Sequence, residues 1–437
     1  MIPSRVRSHP GHVVSPTSAR DIGALKASVI YGANASGKSN LIKAMHHARQ
    51  MITLGNPLGK NLEYDPFLLD KACALKPSRF EFEIKCGRNN YAYGFMADHR
   101  VIHEEWLYKI DRKGESPVFV RSGEGADAIT FSELKFNSKE DEQFLTFTAK
   151  ATPRHRLFLF ECLDRNVTRT LDYIRPLVDV NEWFHHRLNI VFPDSKYHGL
   201  EMAVHSDHVI SHLLAGILSN FDTGINDLSL KQVDLVKDAH DLPDQVKQDI
   251  LATIGTGEAT LVSTPNSTRY QIIKHQTGEV SAFKLMTSHK NHQGEPVDFD
   301  INRESDGSQR ILDIAPGLLE LFSQDKVYVI DEIDRSLHSE ITTTILSRFL
   351  WLTAGRHSQL IVTTHESNLL DANLIRRDEV WFAQKSPEGV SSLYSLEEFQ
   401  SRPDNDIRKG YLIGRFGGVP VIRDGFADLV RGLRNDA

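Results

Sequence analysis

The chain has 437 residues, with 51 Lys and Arg against 58 Asp and Glu and a net charge of −7. Its 40% hydrophobic and 25% charged residues are ordinary for a globular protein, and the length suits two or three domains or one core with large insertions. No apolar run approaches the roughly 18 residues of a membrane span and no apolar segment opens the chain. Three cysteines without CxxC spacing (Cys73, Cys86, Cys162) suit a reducing cytoplasm, and the mild acidity excludes retention on nucleic acid by bulk charge alone.

In chain order, residues 1–26 read as an irregular polar lead-in. Ala27-Ser28-Val29-Ile30-Tyr31 reads as a buried strand, followed by a Gly-rich turn and a helix with Leu41, Met45, Ala48 and Ile52 on one face. Strand, turn and helix in that order open an α/β nucleotide-binding core, assigned to 27–64. From about residue 79 the period changes to two: Phe80, Phe82 and Ile84 alternate with charges, then Tyr91, Tyr93 and Phe95, then Trp106, Tyr108 and Ile110. With a turn at Gly87-Arg88-Asn89-Asn90, 65–130 reads as an antiparallel subdomain. Helical patterns at Leu171–Asn189, Val209–Phe221 and Pro243–Ile254 and a β-rich stretch at Arg269–Lys284 make 131–300 a mixed helical and β lobe. The α/β pattern returns over 301–375, with helices at Gln309–Phe322 and Ser339–Leu352 and buried strands at Val327–Ile330 and Gln359–Thr363. A hairpin (Glu379–Ala383 and Ser391–Leu396) and a Gly-rich tail fill 376–437. There is no fixed-period repeat and no sustained heptad pattern.

The chemistry sits in the two α/β stretches. Gly32, Ala33, Asn34, Ala35, Ser36, Gly37, Lys38 and Ser39 match GxxxxGK[ST] between a strand and a helix. Glycines there let backbone N–H groups approach phosphate oxygens, and the helix N-terminus adds partial positive charge. Lys38 would reach the β- and γ-phosphates of ATP, and Ser39 would ligate Mg²⁺. Val327–Ile330 followed by Asp331 and Glu332 is an apolar strand ending in two acids. Asp331 would hold the metal through water, and Glu332 would act as general base on the attacking water. Ser305, Asp306, Gly307 and Ser308 open a helix and offer a second set of N–H groups to a γ-phosphate, although in isolation this is an N-capped surface turn. His365, after Thr363-Thr364, ends the next strand, where it can touch the γ-phosphate or the water.

Two other constellations have bland readings. Asp298-Phe299-Asp300 is a DxD, as metal-dependent nucleases use, but reads as the outer face of a half-exposed strand. His205, His208 and His212 share a helix face without the further ligands of a zinc site.

The ordered motifs resemble the ABC-type ATPase superfamily, in its soluble SMC/RecF/OLD-like branch. Within it, Tyr31–Asn40, Glu304-Ser305-Asp306-Gly307, Asp331–His338, Arg377–Phe382 and Tyr411–Pro420 are similar to the RloA/AbiL-like ATPases of abortive-infection loci. ATPases of PARIS-type and Septu-type anti-phage systems are looser relatives. The resemblance implies an α/β fold with an ABC-type P-loop ATPase core split by a large mixed β/helical insertion. It implies ATP and Mg²⁺ as ligands, with Asn40 joining the nucleotide-binding loop, Ser305 and Gly307 as the signature, Ser336-Leu337-His338 as the D-loop and His365 as the switch histidine. It also implies a homodimer or higher homo-oligomer that sandwiches ATP between Lys38 of one subunit and Ser305 of another, and a neighbour-encoded effector such as a Toprim-type nuclease. The family's N-terminal edge strand is missing from this reading, and no Q-loop glutamine is placed, since Gln50 comes too early. The competing reading is a RecF- or SMC-like DNA-repair ATPase; direct nucleic-acid binding stays open, and missing heptads speak only against an SMC arm. A transporter nucleotide-binding subunit is disfavoured by the insertion at 65–300.

Overall fold

The computed structural model describes residues 1–420 apart from 7, 57–61, 63, 64, 124–128, 133, 137, 165–171, 198, 199, 202, 203, 205, 206, 265–267 and 400–405. The chain forms two compact units. The first comprises Met1–Val191, Asp325–Glu332 and the described residues from Phe349 on; the second comprises Phe192–Gln324 and Ile333–Arg348.

In chain order the strands are β1 (Val13–Val14), β2 (Ala24–Leu25), β3 (Ala27–Tyr31), β4 (Ser78–Cys86), β5 (Asn89–Ala97), β6 (Ile102–Asp111), β7 (Gly114–Ser122), β8 (Ile129–Phe131) and β9 (Leu188–Val191). They continue with β10 (Asp227–Val233), β11 (Ala259–Ser263), β12 (Arg269–Lys274), β13 (Val280–Lys290), β14 (Pro296–Asp300), β15 (Val327–Ile330), β16 (Gln359–Thr363), β17 (Val380–Lys385) and β18 (Ser391–Ser395). The helices are α1 (Lys38–Thr53), α2 (Lys71–Ala74), α3 (Lys139–Ala151), α4 (Phe158–Asp164), α5 (Arg175–Glu182), α6 (His208–Asn220), α7 (Asp244–Thr253), α8 (Asp306–Ser323), α9 (Ser339–Leu352) and α10 (Ile407–Leu412).

The first unit is built on a six-stranded sheet in the order β18-β17-β3-β16-β15-β9. All neighbours are parallel except the β17–β18 hairpin. Both β3 and β15 are buried along their whole length, which is why they read as unbroken apolar runs rather than alternating ones. Helix α1 buries Ile42, Ala48, Met51 and Ile52, whereas Leu41 is exposed, so the core-facing stripe is rotated from the expected one. Residues Val13–Val14 pair with Ala24–Leu25, and the N-terminal segment is tied down by Ser4 N–H on the Asp378 carboxylate (2.8 Å) and by His12 against Glu379 (3.1 Å).

One expected helix ends early. The periodicity predicts helix to Asn189, but α5 stops at Glu182, a π-turn covers Trp183–Arg187, and Leu188–Val191 form β9. The start of that expected helix, Leu171, lies outside the described residues. β9 pairs in parallel with β15, Leu188 opposite Val327 and Val191 opposite Ile330, so it satisfies backbone groups that β15 would otherwise leave open. Tertiary pairing overrides local period here.

The second sheet of this unit is a meander, β4-β5-β6-β7-β8, with Cys86 opposite Asn89 across a two-residue turn. Glu105 on β6 is fully buried. Its carboxylate accepts the N–H groups of Phe158 (2.6 Å) and Leu159 (3.0 Å) at the start of α4 and the Tyr93 hydroxyl (3.0 Å), with Arg121 at 3.7 Å. Burial holds the Glu105 carboxyl above its ordinary value against the pull of Arg121 and the two N–H groups. Glu105→Ala strands these donors beside a buried guanidinium. It is expected to destabilise this unit by about 3–5 kcal/mol, read as a lower denaturant midpoint; an unchanged midpoint would refute the role.

In the second unit, β13 pairs with β10 along one edge and with β12 and then β14 along the other, and β11 extends the sheet beyond β12. Helix α8 packs Ile311, Leu312 and Ala315 into a core with Leu214 and Leu218 of α6 and Leu285 of β13. Buried Asp313 of α8 pairs with Lys196 (3.0 Å) and with buried Arg269 of β12. The DxD lies on β14, where Asp300 meets Lys284 at 2.9 Å. His208 and His212 lie on α6, His205 lies outside the described residues, and no group of three metal-binding side chains occurs among the described residues. Among the same residues, no helix is long and apolar enough to cross a membrane.

Candidate functional site

Three neighbouring parallel strands end together. Register places Ile30 of β3 beside Thr363 of β16, and Val362 of β16 beside Ile330 of β15. The segments that follow, Gly32–Gly37, Thr364–Glu366 and Asp331–Glu332, therefore emerge at one end of the sheet. In open α/β sheets this C-terminal edge is where ligands bind.

The Gly32–Gly37 loop is tight. Ser36 N–H donates to Ala33 C=O (3.1 Å), Ala35 has φ 61°, and Gly37 caps α1 with φ 102°. Gly32 admits no side chain: a Cβ there would lie 2.5 Å from Ser36 Oγ and 2.6 Å from Ala383 C=O. Lys38, 6% exposed, folds back so that Nζ donates to Gly32 C=O (2.7 Å) and Ala33 C=O (3.3 Å) and lies 3.3 Å from His365 Nε2. Ala33 and Ser39 are half-buried, and Asn34 and Asn40 are exposed.

Asp331 is buried, and its N–H donates to Val191 C=O (2.9 Å). Thr363 Oγ1 donates to Asp331 Oδ1 (2.5 Å) and accepts the Glu332 N–H (2.8 Å). Glu332 sits at φ 49°, a left-handed conformation that costs a non-glycine residue about 1–3 kcal/mol. The Thr363 hydroxyl is one of the bonds that hold it there. Thr363 is the residue the motif reading passed over; a hydroxyl at the C-terminal end of the strand beside the acidic pair was the available signal.

Lys38, Asp331, Glu332 and His365 thus share one end of the first unit. Ser305, Asp306, Gly307 and Ser308 belong to the second. There Ser305 caps α8, its Oγ accepting the Ser308 N–H (3.1 Å) and lying 3.0 Å from Ser308 Oγ. Glu304 just before it accepts the Thr287 hydroxyl (2.5 Å) and lies 2.7 Å from His289 Nε2, which anchors the segment to β13. Ser336, at φ 60°, presents its carbonyl 2.9 Å from where a Gly307 Cβ would stand.

The loop residues fit a phosphate chain. Ser36 Oγ is buried without a hydrogen-bond partner, a donor left for a ligand oxygen.

Among solved structures, the chain is similar to an SMC head bound to the C-winged helix domain of ScpA, at 14% identity over 85% of this chain and 90% of that one, with a TM-score of 0.34. An SMC head domain from Thermotoga maritima matches at 12% identity over 85% and 92% (TM-score 0.30). A Pyrococcus furiosus Smc head with an extended coiled coil, bound to the C-terminal domain of ScpA, matches at 13% over 89% and 92% (TM-score 0.31). No curated protein matches the chain. The family described as "AAA domain, putative AbiEii toxin, Type IV TA system" matches residues 27–371, the span that holds Gly32–Ser39, Ser305–Ser308, Asp331, Glu332 and His365, and the chain belongs to that family of AAA-type ATPases.

Proposed function

We propose that this protein is a Mg²⁺-dependent ATPase of the ABC type, of the RloA/AbiL-like branch, that dimerises around ATP and regulates a neighbour-encoded effector in anti-phage abortive infection. The observation that supports the reading most is the convergence of Lys38, Asp331, Glu332 and His365 on one sheet edge, with Thr363 joining the two acids. These residues come from three separated motifs, and phosphoryl transfer needs them together.

In this reading, N–H groups of Gly32–Ser39 and the α1 N-terminus hold the phosphates, and Lys38 leaves its backbone carbonyls to neutralise charge that builds on the transferred group. Ser39 and Asp331 would hold Mg²⁺, which when bound screens the phosphate oxygens. Glu332 takes a proton from the attacking water, and His365, beside Lys38, orients that water or the γ-phosphate. Ser305, Asp306, Gly307 and Ser308 of a second copy close the site, and Asn40 borders the loop.

Ser305→Arg tests the composite site. A bulky cation at the α8 cap is expected to lower turnover at least about 100-fold, the scale of losing one preorganised donor, while equilibrium binding of a fluorescent ATP analogue at low protein concentration stays unchanged. Unaltered turnover would refute the two-copy arrangement. The effector, read as a Toprim-type nuclease, is expected to co-purify from the native operon; isolation of the ATPase alone would count against that part.

A further inference from the structure

The Gly-rich run Tyr411–Val419 near the C-terminus has no role in the mechanism above, yet it lies against the phosphate loop. Tyr411 is 6% exposed, with its ring 5.3 Å from Tyr31 and stacked 5.7 Å from Phe382. Phe416, 2% exposed, stacks on the same Phe382 at 5.8 Å, and Tyr394 donates to its carbonyl (2.8 Å). The chain then turns through Gly417 and Gly418, both at φ 69°. Gly418 is buried, and a Cβ built on it would lie 3.7 Å from Gly32 Cα.

Two chains of contact follow. Gly418 backs Gly32, whose carbonyl holds Lys38 Nζ (2.7 Å). Tyr411 backs Tyr31, whose hydroxyl donates to Glu366 C=O (3.3 Å), one residue past His365. Both the phosphate loop and the histidine turn therefore rest on the same strap.

We propose that Tyr411 and Gly418 are positioning residues of the ATP site: the strap sets the first glycine of the phosphate loop and, through Tyr31, the turn that carries His365. The proposal rests on the ATP reading above. Displacements of about 1 Å at such sites cost up to about 100-fold in rate, so a support this close is expected to show in kinetics.

The test uses the full chain. Wild-type binding of a fluorescent ATP analogue comes first, and its absence means that the ATP reading itself fails. Given binding, Gly418→Ala is the mild variant. Its Cβ meets Phe382 at 3.4 Å, ordinary contact, but alanine disfavours φ 69° and pushes the backbone off Gly32. It is expected to raise the KM for ATP about tenfold with kcat within about twofold. Tyr411→Ala is expected to raise KM and also lower kcat about tenfold, through the His365 turn. Tyr411→Phe keeps the ring stack on Tyr31 and Phe382 but loses the hydroxyl's bond to Gly418 C=O (3.4 Å), so it is expected to restore kcat. A strap that merely stabilises the fold would lower Tm and leave KM and kcat of the folded fraction, measured by active-site titration, at wild-type values. That result in Gly418→Ala and Tyr411→Ala overturns the proposal, as does failure of Tyr411→Phe to restore kcat.

Discussion

Lys38→Ala is expected to abolish nucleotide binding, with affinity for a fluorescent ATP analogue falling at least about 100-fold. The physical basis is the cost of the replaced group. Lys38 Nζ is a buried ammonium whose bonds are to the Gly32 and Ala33 carbonyls and which lies beside His365. It is held at the loop, and an arriving phosphate takes the place of those carbonyls as its partner. Removing it leaves only neutral N–H donors and the α1 N-terminus facing several negative charges. Because Nζ touches the loop rather than the core, Tm without nucleotide should move little. Retained binding with an intact fold would sink the phosphate-loop assignment, and a large Tm loss would show that Lys38 serves the fold instead.

The second large effect belongs to Glu332. Glu332→Gln keeps the shape, the N–H to Thr363 and the φ 49° backbone, and removes only the ability to take a proton. Turnover should fall by roughly 10²–10⁴-fold, the usual weight of a general base. Binding should survive, since the loop and Lys38 are untouched. A site that binds but does not hydrolyse should accumulate the ATP-closed dimer, visible as an ATP-dependent shift in size-exclusion elution. If both turnover and elution match wild type, another residue is the base and the ATP-gated dimer loses its main support. The two variants discriminate cleanly: Lys38→Ala predicts no dimer with ATP, Glu332→Gln a persistent one.

The motifs that carry this reading were legible because each is local. GxxxxGKS is a contiguous loop whose backbone demands are written in its residues, and Val327–Ile330 with Asp331-Glu332 is an apolar run with a polar end. The strands β15 and β16 and the helix α9 have the predicted bounds, since largely buried parallel strands need apolar runs and a helix its own period. The Gly-rich tail was legible as a pattern of residues but not as a neighbour of Gly32, because the 385 residues between Gly32 and Gly418 carry no trace of that contact.

By itself, then, the sequence determined where the GxxxxGKS run, the acidic strand end, the Ser305 cap and His365 fall, along with the α/β character of the segments that bear them. Only the tertiary structure decided what stands beside what. It made Leu188–Val191 a strand, because β15 needed a backbone partner on its open edge. It gave Thr363 a purpose, because strand register brings its hydroxyl between Asp331 and the Glu332 N–H. It set Tyr411 on Tyr31, because aromatic rings distant in sequence share one core. Local propensity depends on neighbours within a few residues, whereas pairing and packing depend on the whole chain, and the residues missed from sequence are those whose role is to touch a distant segment.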